Sequence, residues 1–354
     1  MKIVHVLWGF RYGGAETMLV DIANRQCKED EVEILLINDA IDSSLIRQID
    51  KRITITYINR PLGSRNPFYI LKLNLLIWFS QADIIHFHQD DIIRYLPIYR
   101  LRKNLCLTVH SVETQVEDIK KYNYVFAITD AVRKQITEKS HRSSILIHNG
   151  VEVDAFIPKE EFYPKDVFRT VQIGRLARFP KRQDLTLEAM RLLIDQNHTH
   201  IRLDIIGEGP SESYLKEMTN RLKLDKYVSF LGNRSKEYIQ KNLAGYDLLV
   251  QPSAWEGFGL TIIEAMSACV PTLISNVDGM KTITQDKELG FSFETGNAED
   301  MADKMLQAIQ SSPDKLQRIT NKARLNVKNE FDISCTVANY KREYERILKE
   351  INSK

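Results

Sequence analysis

Short apolar runs alternate with longer amphipathic stretches along most of the chain. Seven such runs precede residue 150: KIVHVLW, VEILLIN, ITITYI, ADIIHFH, NLCLTVH, YVFAIT and SILIHNG. Runs that are almost continuously apolar are typical of parallel strands covered by helices on both faces of a sheet. The first part of the chain is therefore predicted to form an open α/β sheet.

The same pattern restarts in the second part of the chain. Its runs are FRTVQIG, IRLDIIG, YVSFLG, YDLLVQP, VPTLISN and the shorter GFSFE. Between the two sets lies a turn signal, Asn149-Gly150, soon followed by two prolines. Because 354 residues exceed what one hydrophobic core usually organises, we predict two α/β domains, residues 1–150 and 151–336, with a cleft between them.

The composition is that of an ordinary folded protein, with 43% hydrophobic and 27% charged residues. The 49 basic and 47 acidic residues give a net charge of +2, so nothing in the charge balance calls for a nucleic-acid partner. No C-x-x-C pair occurs, which argues against a zinc cage or a disulfide framework. Buried free thiols in a reducing compartment are expected for the four cysteines, Cys27, Cys106, Cys269 and Cys335.

Two apolar stretches raise the question of a signal peptide or a membrane span. The start, MKIVHVLWGF, is short, contains His5 and lacks a small-residue cleavage site, so a first β-strand explains it better. The stretch FYILKLNLLIWF, residues 68–79, is interrupted by Lys72 and Asn74 and is shorter than the roughly 20 residues of a membrane span. We predict a core helix there, and a cytoplasmic protein.

Ligands of open α/β sheets bind beyond the carboxyl ends of the strands, so the loops after the strands are the places to look for chemistry. The first such loop, GFRYGGAE, contains Gly13 and Gly14 at a helix start, where backbone N–H groups can approach a diphosphate closely. A tight turn that needs positive φ is the alternative. Neither a P-loop nor a G-x-G-x-x-G fingerprint occurs in this turn.

Histidines follow two of the predicted strands. His110 comes directly after an apolar run, where an imidazole can orient a substrate hydroxyl or support developing charge. His86 and His88 alternate in IIHFHQ, so both lie on one face of a strand. Packing or lining of an acceptor site is expected for that pair, and a purely structural role remains open for His110.

A basic loop, IGRLARFPKRQD, follows the first strand of the second domain. Arg175 comes directly after the strand, and Lys181 lies at the entry to the next helix. A guanidinium fork and an ammonium suit two adjoining phosphates, and they neutralise the charge that develops on a departing diphosphate. A solvated basic loop is the alternative.

Two glutamates flank a helix start in WEGFGLTIIEAM, residues 255–266. Thr261 is predicted to be the N-cap, so that the first amides of the helix face an anion. Glu264 three residues later completes a capping box, which gives it a structural explanation. Glu256 precedes the turn, where a carboxylate needs a sugar hydroxyl or a cation to engage it.

Taken in order, the motifs GGAE, GR-x5-K ending at Lys181, and E-x7-E from Glu256 to Glu264 resemble the retaining glycosyltransferases of family 4. The resemblance covers essentially the whole chain. It implies a GT-B fold, with two Rossmann-like domains facing each other across a cleft and a C-terminal helix, about 337–354, packing back on the N-terminal domain. The first domain would bind the acceptor and the second the nucleotide sugar.

The resemblance also assigns roles to single residues. His110, Glu256, Arg175 and Lys181 would be catalytic, with His110 near the reacting carbon and Glu264 on the ribose. The implied donor-binding set is Gly13, Gly14, Arg175, Lys181, Leu231, Gly232, Glu256, Gly257, Phe258, Gly259, Leu260, Thr261 and Glu264. The implied acceptor-side set is Arg11, Tyr12, His86 and His88.

The implied reaction moves a hexose or N-acetylhexosamine from a nucleotide-diphosphate sugar, UDP before GDP, to a hydroxyl of a glycan or lipid-linked saccharide. Retention would arise by front-face attack. No D-x-D occurs in the sequence, so we expect no metal and no cofactor besides the nucleotide-sugar co-substrate. Peripheral contact with the inner membrane through residues 68–79 or basic patches is a further hypothesis.

Three alternatives remain from the sequence. A nucleotide-sugar epimerase would share the two-domain fold and need no acceptor. A dinucleotide-dependent oxidoreductase would need the glycine fingerprint that is missing. A non-catalytic partner subunit would have no chemical reason to retain this set of charged residues. One departure from the family pattern is NVDGM, residues 276–280, where relatives often read D-V-G-G.

Overall fold

A computed structural model describes residues 1–11, 13–97, 102–111, 117–162, 166–285 and 288–353. The chain divides into two compact units. Unit 1 comprises Met1–Val151 and Ile333–Lys354, and unit 2 comprises Glu152–Asp332. The changeovers after Val151 and Asp332 differ slightly from the predicted ones after residues 150 and 336.

Unit 1 contains a seven-stranded parallel sheet within the described part of the chain. Its strands are β1 Lys2–Leu7, β2 Glu31–Asn38, β3 Thr54–Arg60, β4 Ile84–Phe87, β5 Leu105–Val109, β6 Tyr124–Ala127 and β7 Ile145–Leu146. The strand order is β3-β2-β1-β4-β5-β6-β7, which is the Rossmann-like arrangement with a switch point beside β1. In this register His5 of β1 lies opposite His86 of β4.

The helices of unit 1 before residue 150 are α1 Gly14–Gln26, α2 Ser43–Ile46, α3 Pro67–Phe79 and α4 Asp130–Ser140, with 3-10 turns at Asp90–Tyr95 and Ile119–Lys121. Pro67 opens α3, and the Asn66 side chain caps it by accepting from the Phe68 amide. The prediction of a core helix here is wrong in part, because only Leu73 and Ile77 of α3 are buried. The large apolar side chains that α3 leaves exposed are Phe68, Leu71, Leu75, Trp78 and Phe79.

Unit 2 contains a six-stranded parallel sheet within its described residues. Its strands are β8 Phe168–Ile173, β9 Ile201–Ile206, β10 Val228–Gly232, β11 Leu248–Gln251, β12 Thr272–Ser275 and β13 Phe291–Phe293. The order is β10-β9-β8-β11-β12-β13. Each of the thirteen predicted apolar runs thus contains a strand, and the prediction of two parallel α/β sheets is confirmed.

The helices of unit 2 are α5 Arg178–Lys181, α6 Gln183–Asp195, α7 Glu212–Arg221, α8 Lys236–Asn242, α9 Leu260–Ser267, α10 Asp278–Thr284, α11 Ala298–Ile309 and α12 Pro313–Glu330, with 3-10 turns at Val153–Ala155 and Leu243–Gly245. Helices α6 and α11 pack together on the sheet and share one core, with Met190 and Leu193 of α6 beside Met301 and Met305 of α11. Each such side chain stabilises the fold by about 1.5–3 kcal/mol when fully buried.

The last helix, α13 Ile333–Asn352, begins earlier than the predicted residue 337 and packs against α1 of unit 1. Its buried positions recur every three or four residues, as one helix face requires: Ile333, Thr336, Tyr340, Tyr344 and Ile347. Lys341 forms an ion pair with Glu29. The C-terminal helix therefore belongs to the core of the N-terminal domain, as predicted.

Two further sequence predictions concern thiols and membrane spans. Cys27, Cys106 and Cys269 are free and buried, and Cys335 lies partly exposed on α13. Burial raises the pKa of the Cys106 thiol far above its ordinary value. Among the described residues, no helix combines the length and the apolar character that crossing a membrane would require.

Candidate active site

The loop after β8 is fixed to the loop after β9. The Gly174 amide donates to the Ile206 carbonyl at 2.9 Å, and the Leu176 amide donates to the Glu208 carbonyl at 3.0 Å. Gly207 has a φ of +139°, and a Cβ at that position would overlap the Gly174 carbonyl. Only glycine lets the two loops approach this closely, so the backbone around Arg175 is rigidly placed at the carboxyl edge of the sheet.

Arg175 lies between these two anchors. The buried Gln183 side chain donates through Nε2 to the Arg175 carbonyl at 2.9 Å. The Arg175 side chain is exposed, and no described residue forms a hydrogen bond or an ion pair with its guanidinium. A fixed backbone and an unpaired guanidinium leave Arg175 available for an external anion.

Lys181 and Glu256 form an ion pair. The Lys181 Nζ lies 2.6 Å from Glu256 Oε2, and the side chains are 25% and 15% exposed. The same carboxylate oxygen lies 3.3 Å from Ser253 Oγ and 3.4 Å from Gln251 Nε2. A partly buried carboxylate needs such partners, since its desolvation is otherwise uncompensated. The sequence assigned the two residues to separate parts of a ligand, and the structure places them in direct contact.

The segments that hold this ion pair are fixed by hydrogen bonds to backbone carbonyls. Gln172 donates through Nε2 to the Lys181 carbonyl at 3.2 Å and accepts from Thr186 Oγ1 at 2.7 Å. The Ala254 amide donates to the Pro180 carbonyl at 2.8 Å. Phe179 and Trp255, from the same two segments, pack edge to face with ring centroids 4.2 Å apart.

Helix α9 begins differently from the prediction. Its N-cap is Gly259, at φ +90°, and no side chain caps it. Thr261 lies one residue after the first helical position, and its Oγ1 is 3.3 Å from Gln251 Oε1. The predicted N-cap at Thr261 and its capping box with Glu264 are therefore wrong, because the left-handed glycine starts the helix earlier. Glu264 is the fifth residue of the helix and is partly exposed.

Gly279 of α10 is a site residue that the sequence argument missed. A Cβ at this position would overlap the Glu256 carbonyl oxygen. The glycine therefore lets α10 pack directly on the backbone of the residue that pairs with Lys181. Its only sequence signal was the NVDGM departure at residues 276–280.

Leu231 and Gly232 lie at the end of β10, beside the loop after β9. Gly232 has a φ of +69°, and its carbonyl accepts from the Gly207 amide at 2.9 Å. Glu208 Oε1 lies 3.4 Å from the Asn233 amide. Since β8, β9, β10 and β11 are parallel, the loops that follow them meet at one edge of the sheet. The predicted donor-binding residues of unit 2 are thus brought to the same edge.

In unit 1, Gly13 is the N-cap of α1, with no side-chain cap. Its φ of −169° is ordinary extended backbone, so the alternative of a turn that needs positive φ is wrong. Gly14 opens the helix and is exposed. Glu16 in the first turn reaches back towards Gly13, and burial raises the pKa of its carboxyl. Arg11 is exposed, and Tyr12 lies outside the described residues.

His110 follows β5, is partly exposed and adjoins a row of buried histidines. Its Nε2 lies 3.3 Å from His88 Nδ1. His88 Nε2 lies 3.1 Å from His5 Nδ1, and His5 Nε2 lies 2.9 Å from Gln26 Oε1. Burial lowers the pKa of His5 and of His110 to about 4 and holds the pKa of His88 well below its ordinary value. His5 was missed as part of this group, because only the strand register reveals it.

His86 belongs to a second row on the same sheet face. Its Nδ1 bonds to the Tyr344 hydroxyl, and its Nε2 lies 2.7 Å from Thr108 Oγ1, which is 2.8 Å from the Tyr340 hydroxyl. Burial lowers the pKa of His86 well below its ordinary value. Of the two predicted roles, packing and acceptor lining, His86 therefore has the packing one, under α13.

Comparisons with known proteins identify the family of the chain. A family model described as Glycosyltransferase Family 4 matches residues 12–155, and one described as Glycosyl transferases group 1 matches residues 153–326. The two matches together extend over both units. The chain belongs to the family 4 and group 1 glycosyltransferases.

Single curated proteins resemble parts of this chain at low sequence identity. A poly(ribitol-phosphate) alpha-N-acetylglucosaminyltransferase of Staphylococcus aureus is 30% identical over 55% of this chain and 38% of its own length. The N-acetyl-alpha-D-glucosaminyl L-malate synthase of Bacillus anthracis is 25% identical over 51% of this chain and 46% of its own. The match therefore spans less than half the length of either relative.

Among solved structures, Anabaena HepE in complex with UDP and glucose superimposes with a TM-score of 0.83 at 20% identity, covering 98% of this chain and 99% of HepE. At this identity the likeness shows the shared fold. It extends over both units of the chain.

Proposed function

We propose that the protein is a retaining glycosyltransferase that moves a hexose or N-acetylhexosamine from a UDP-sugar to a hydroxyl of a glycan or lipid-linked saccharide. The observation that carries this proposal is the Lys181–Glu256 ion pair at the sheet edge where Arg175 has an unpaired guanidinium. The N-acetylglucosaminyl relatives and the UDP complex of HepE support the donor class.

Arg175 and Lys181 would hold the donor diphosphate. An ammonium has three N–H donors, so Lys181 can keep one on Glu256 and direct another to a phosphate oxygen. Arg175 can bind a second phosphate oxygen with two parallel N–H groups. Both cations would then stabilise the charge that develops on UDP as the glycosidic bond breaks.

Glu256 would contact hydroxyls of the transferred sugar. Its Oε2 already accepts from Lys181, which leaves acceptor capacity on Oε1 for a sugar O–H. The start of α9, which no side chain caps, would add backbone N–H groups beside the sugar and the phosphates. Glu264 would bind the ribose hydroxyls.

We further propose that catalysis needs no metal and that retention follows front-face attack. Two cations and a helix start supply the charge stabilisation that a bound divalent ion provides in other transferases. The acceptor hydroxyl would attack the anomeric carbon as the bond to UDP breaks, and its proton would pass to the departing phosphate oxygen. Full activity in EDTA and an α-linked product from an α-linked donor are the expected results.

Nucleotide binding is the direct test of the donor site. Thermal unfolding would be followed with UDP, GDP, TDP and NAD for wild type, Arg175→Ala and Arg178→Ala. Arg178 is an exposed cation of the same loop and serves as the matched control. A ligand at 100 times its Kd stabilises the fold by about 2.7 kcal/mol. We expect UDP to stabilise wild type and Arg178→Ala but not Arg175→Ala.

Each of the other outcomes would support one of the alternative functions. Stabilisation by NAD alone would indicate an oxidoreductase. Conversion of a UDP-sugar without any acceptor would indicate an epimerase. A folded protein that no nucleotide stabilises would indicate a non-catalytic partner subunit and would overturn the proposal.

A peripheral contact with an anionic membrane, at the cytoplasmic face, is also proposed. The large side chains of α3 leave an exposed apolar surface: Phe68, Leu71, Leu75, Trp78 and Phe79. Between Asp50 and Asp83 the sequence contains no acidic residue and five basic ones: Lys51, Arg52, Arg60, Arg65 and Lys72. Apolar side chains among basic ones suit an interface with anionic lipid.

A further inference from the structure

The row of histidines in unit 1 connects a buried glutamine to His110. It runs from Gln26 through His5 and His88 to His110, and each link is a side-chain contact of 2.9 to 3.3 Å. These residues come from α1, from β1 and from the positions directly after β4 and β5. We propose that this chain fixes the tautomer of His110, so that its Nδ1 presents a lone pair to a sugar hydroxyl of the substrate.

The direction of every hydrogen bond in this chain follows from Gln26, the first member of the chain. The Gln26 carbonyl oxygen can only accept, so His5 must donate from Nε2. A neutral imidazole carries one N–H, so His5 Nδ1 accepts from His88 Nε2. His88 Nδ1 then accepts from His110 Nε2. His110 is left with an unprotonated Nδ1.

The chain holds its direction only while its members are neutral. An added proton on His5 or His88 would place an N–H against another N–H at the next link, and one on His110 would occupy the Nδ1 lone pair. Burial lowers the pKa of each of the three histidines in the chain, with His5 and His110 at about 4. Near neutral pH, therefore, each imidazole has a single N–H.

His110 Nδ1 is the open end of the chain. It is buried, and no described residue forms a hydrogen bond with it. A buried polar atom without a partner costs about 1–3 kcal/mol, and an O–H from a substrate would satisfy it. The inference rests on the proposed function, since it makes a sugar hydroxyl the missing donor. Gln26, His5 and His88 then act as positioning residues, through His110.

A metal site is the competing explanation for part of this cluster. The ring nitrogens of His5, His86 and His88 include a set within 4.8 Å of one another. Both nitrogens of each ring already have a hydrogen-bond partner. The three ligands would also be neutral, so a buried divalent ion would have no compensating carboxylate among them. Hydrogen bonding accounts for the cluster better.

The second row supplies a matched control. Tyr340 bonds to Thr108, which bonds to His86, and none of these three residues is a member of the chain. Tyr340→Phe therefore removes one buried hydrogen bond from the same core and leaves every link of the chain in place. Gln26→Met removes the acceptor that sets its direction and keeps a side chain of similar length.

The experiment is long-range ¹H–¹⁵N correlation on histidine-labelled protein at pH 7.5, which reports the protonated nitrogen of each ring. We expect wild type and Tyr340→Phe to show His110 as the Nε2–H tautomer alone. Gln26→Met should show a mixture of both tautomers. If about half of the molecules then carry the binding-competent form, the apparent KM for the UDP-sugar should rise about twofold, with kcat unchanged at saturating substrate.

Wild type alone suffices to overturn the proposal, so the result does not depend on whether a variant folds. A mixed or Nδ1–H tautomer of His110 in wild type would contradict it, as would an unchanged single tautomer in folded Gln26→Met. Stoichiometric Zn²⁺ that shifts the His5, His86 and His88 signals together would establish the metal site instead. A single His110 tautomer in a protein that binds no nucleotide would support the hydrogen-bonded chain from Gln26 to His110 and reject the proposed function.

Discussion

Lys181 Nζ lies 2.6 Å from Glu256 Oε2, although 75 positions separate the two residues in the chain. Lys181 comes from the end of α5 and Glu256 from the loop between β11 and α9. The contact joins the residue predicted to hold the donor diphosphate to the residue predicted to hold the donor sugar. It therefore places both halves of the proposed donor site within one hydrogen-bonded group.

Removing only the cation from this pair should affect stability and catalysis differently. Lys181→Met leaves the Glu256 carboxylate partly buried, and because both side chains keep some exposure we expect a loss of only about 1 kcal/mol in the free energy of unfolding. The double variant Lys181→Met/Glu256→Gln should recover that loss, because no unpaired charge remains, and stay inactive. Urea unfolding and a UDP-release assay measure the two effects. A double variant that loses as much stability as Lys181→Met, or more, would refute the coupling between the two residues.

Gly279→Ala tests the close packing of α10 on Glu256. The added Cβ would overlap the Glu256 carbonyl, so the loop must move, at a cost of about 1–3 kcal/mol. UDP-sugar affinity should fall with it, since the Lys181–Glu256 pair moves too. Gly245→Ala is the control, because a Cβ there meets only an arginine side-chain nitrogen at 3.9 Å. Equal effects of the two substitutions on affinity would show that the packing is unimportant.

The strands were predictable because a parallel strand buried on both faces must be apolar along its whole length. All thirteen runs therefore marked strands without any tertiary information. The Lys181–Glu256 contact was not predictable, since it depends on how loops from β8 and β11 meet at the sheet edge. The chain from Gln26 to His110 depends likewise on the register that places β1 beside β4.

Two predictions from local sequence patterns were wrong, the N-cap at Thr261 and the burial of α3. Thr261 has the spacing of an N-cap, but Gly259 in the left-handed region starts α9 earlier and the threonine hydroxyl turns to Gln251. The apolar residues of α3 predicted burial, yet they occupy more of the helix circumference than the sheet can cover. Only Leu73 and Ile77 reach the core.

Acid should destabilise unit 1 through its buried histidines. The pKa of His5 and of His110 falls from 6.5 to about 4 on folding, so the unfolded chain binds more protons between those pH values. Their contribution to stability is complete above pH 6.5 and is lost as the pH falls towards 4. Each contributes up to about 1.4 kcal/mol per pH unit. Urea unfolding at pH 7.5, 6 and 5 measures this, and a constant free energy over that range would contradict it.

Membrane docking should depend on the exposed apolar residues of α3. Wild type should sediment with phosphatidylglycerol vesicles and much less with phosphatidylcholine vesicles, and 0.5 M salt should weaken the binding. Leu71→Gln/Phe79→Gln should abolish it. Leu325→Gln, at an equally exposed apolar position on α12 of unit 2, should leave it unchanged. Failure of wild type to sediment with either vesicle would remove the proposal and leave the donor site untouched.

Arg175 is proposed to stabilise the departing UDP. The most direct measurement is kcat/KM for UDP release from UDP-N-acetylglucosamine and UDP-glucose in wild type, Arg175→Ala and Arg178→Ala. For Arg175→Ala we expect a loss of about 3 kcal/mol of transition-state stabilisation, or more than a hundredfold in kcat/KM, with unfolding stability unchanged because its guanidinium has no partner among the described residues. Arg178→Ala should stay near wild type. Near-wild-type kcat/KM in Arg175→Ala, or no UDP release above background in wild type, would contradict the account.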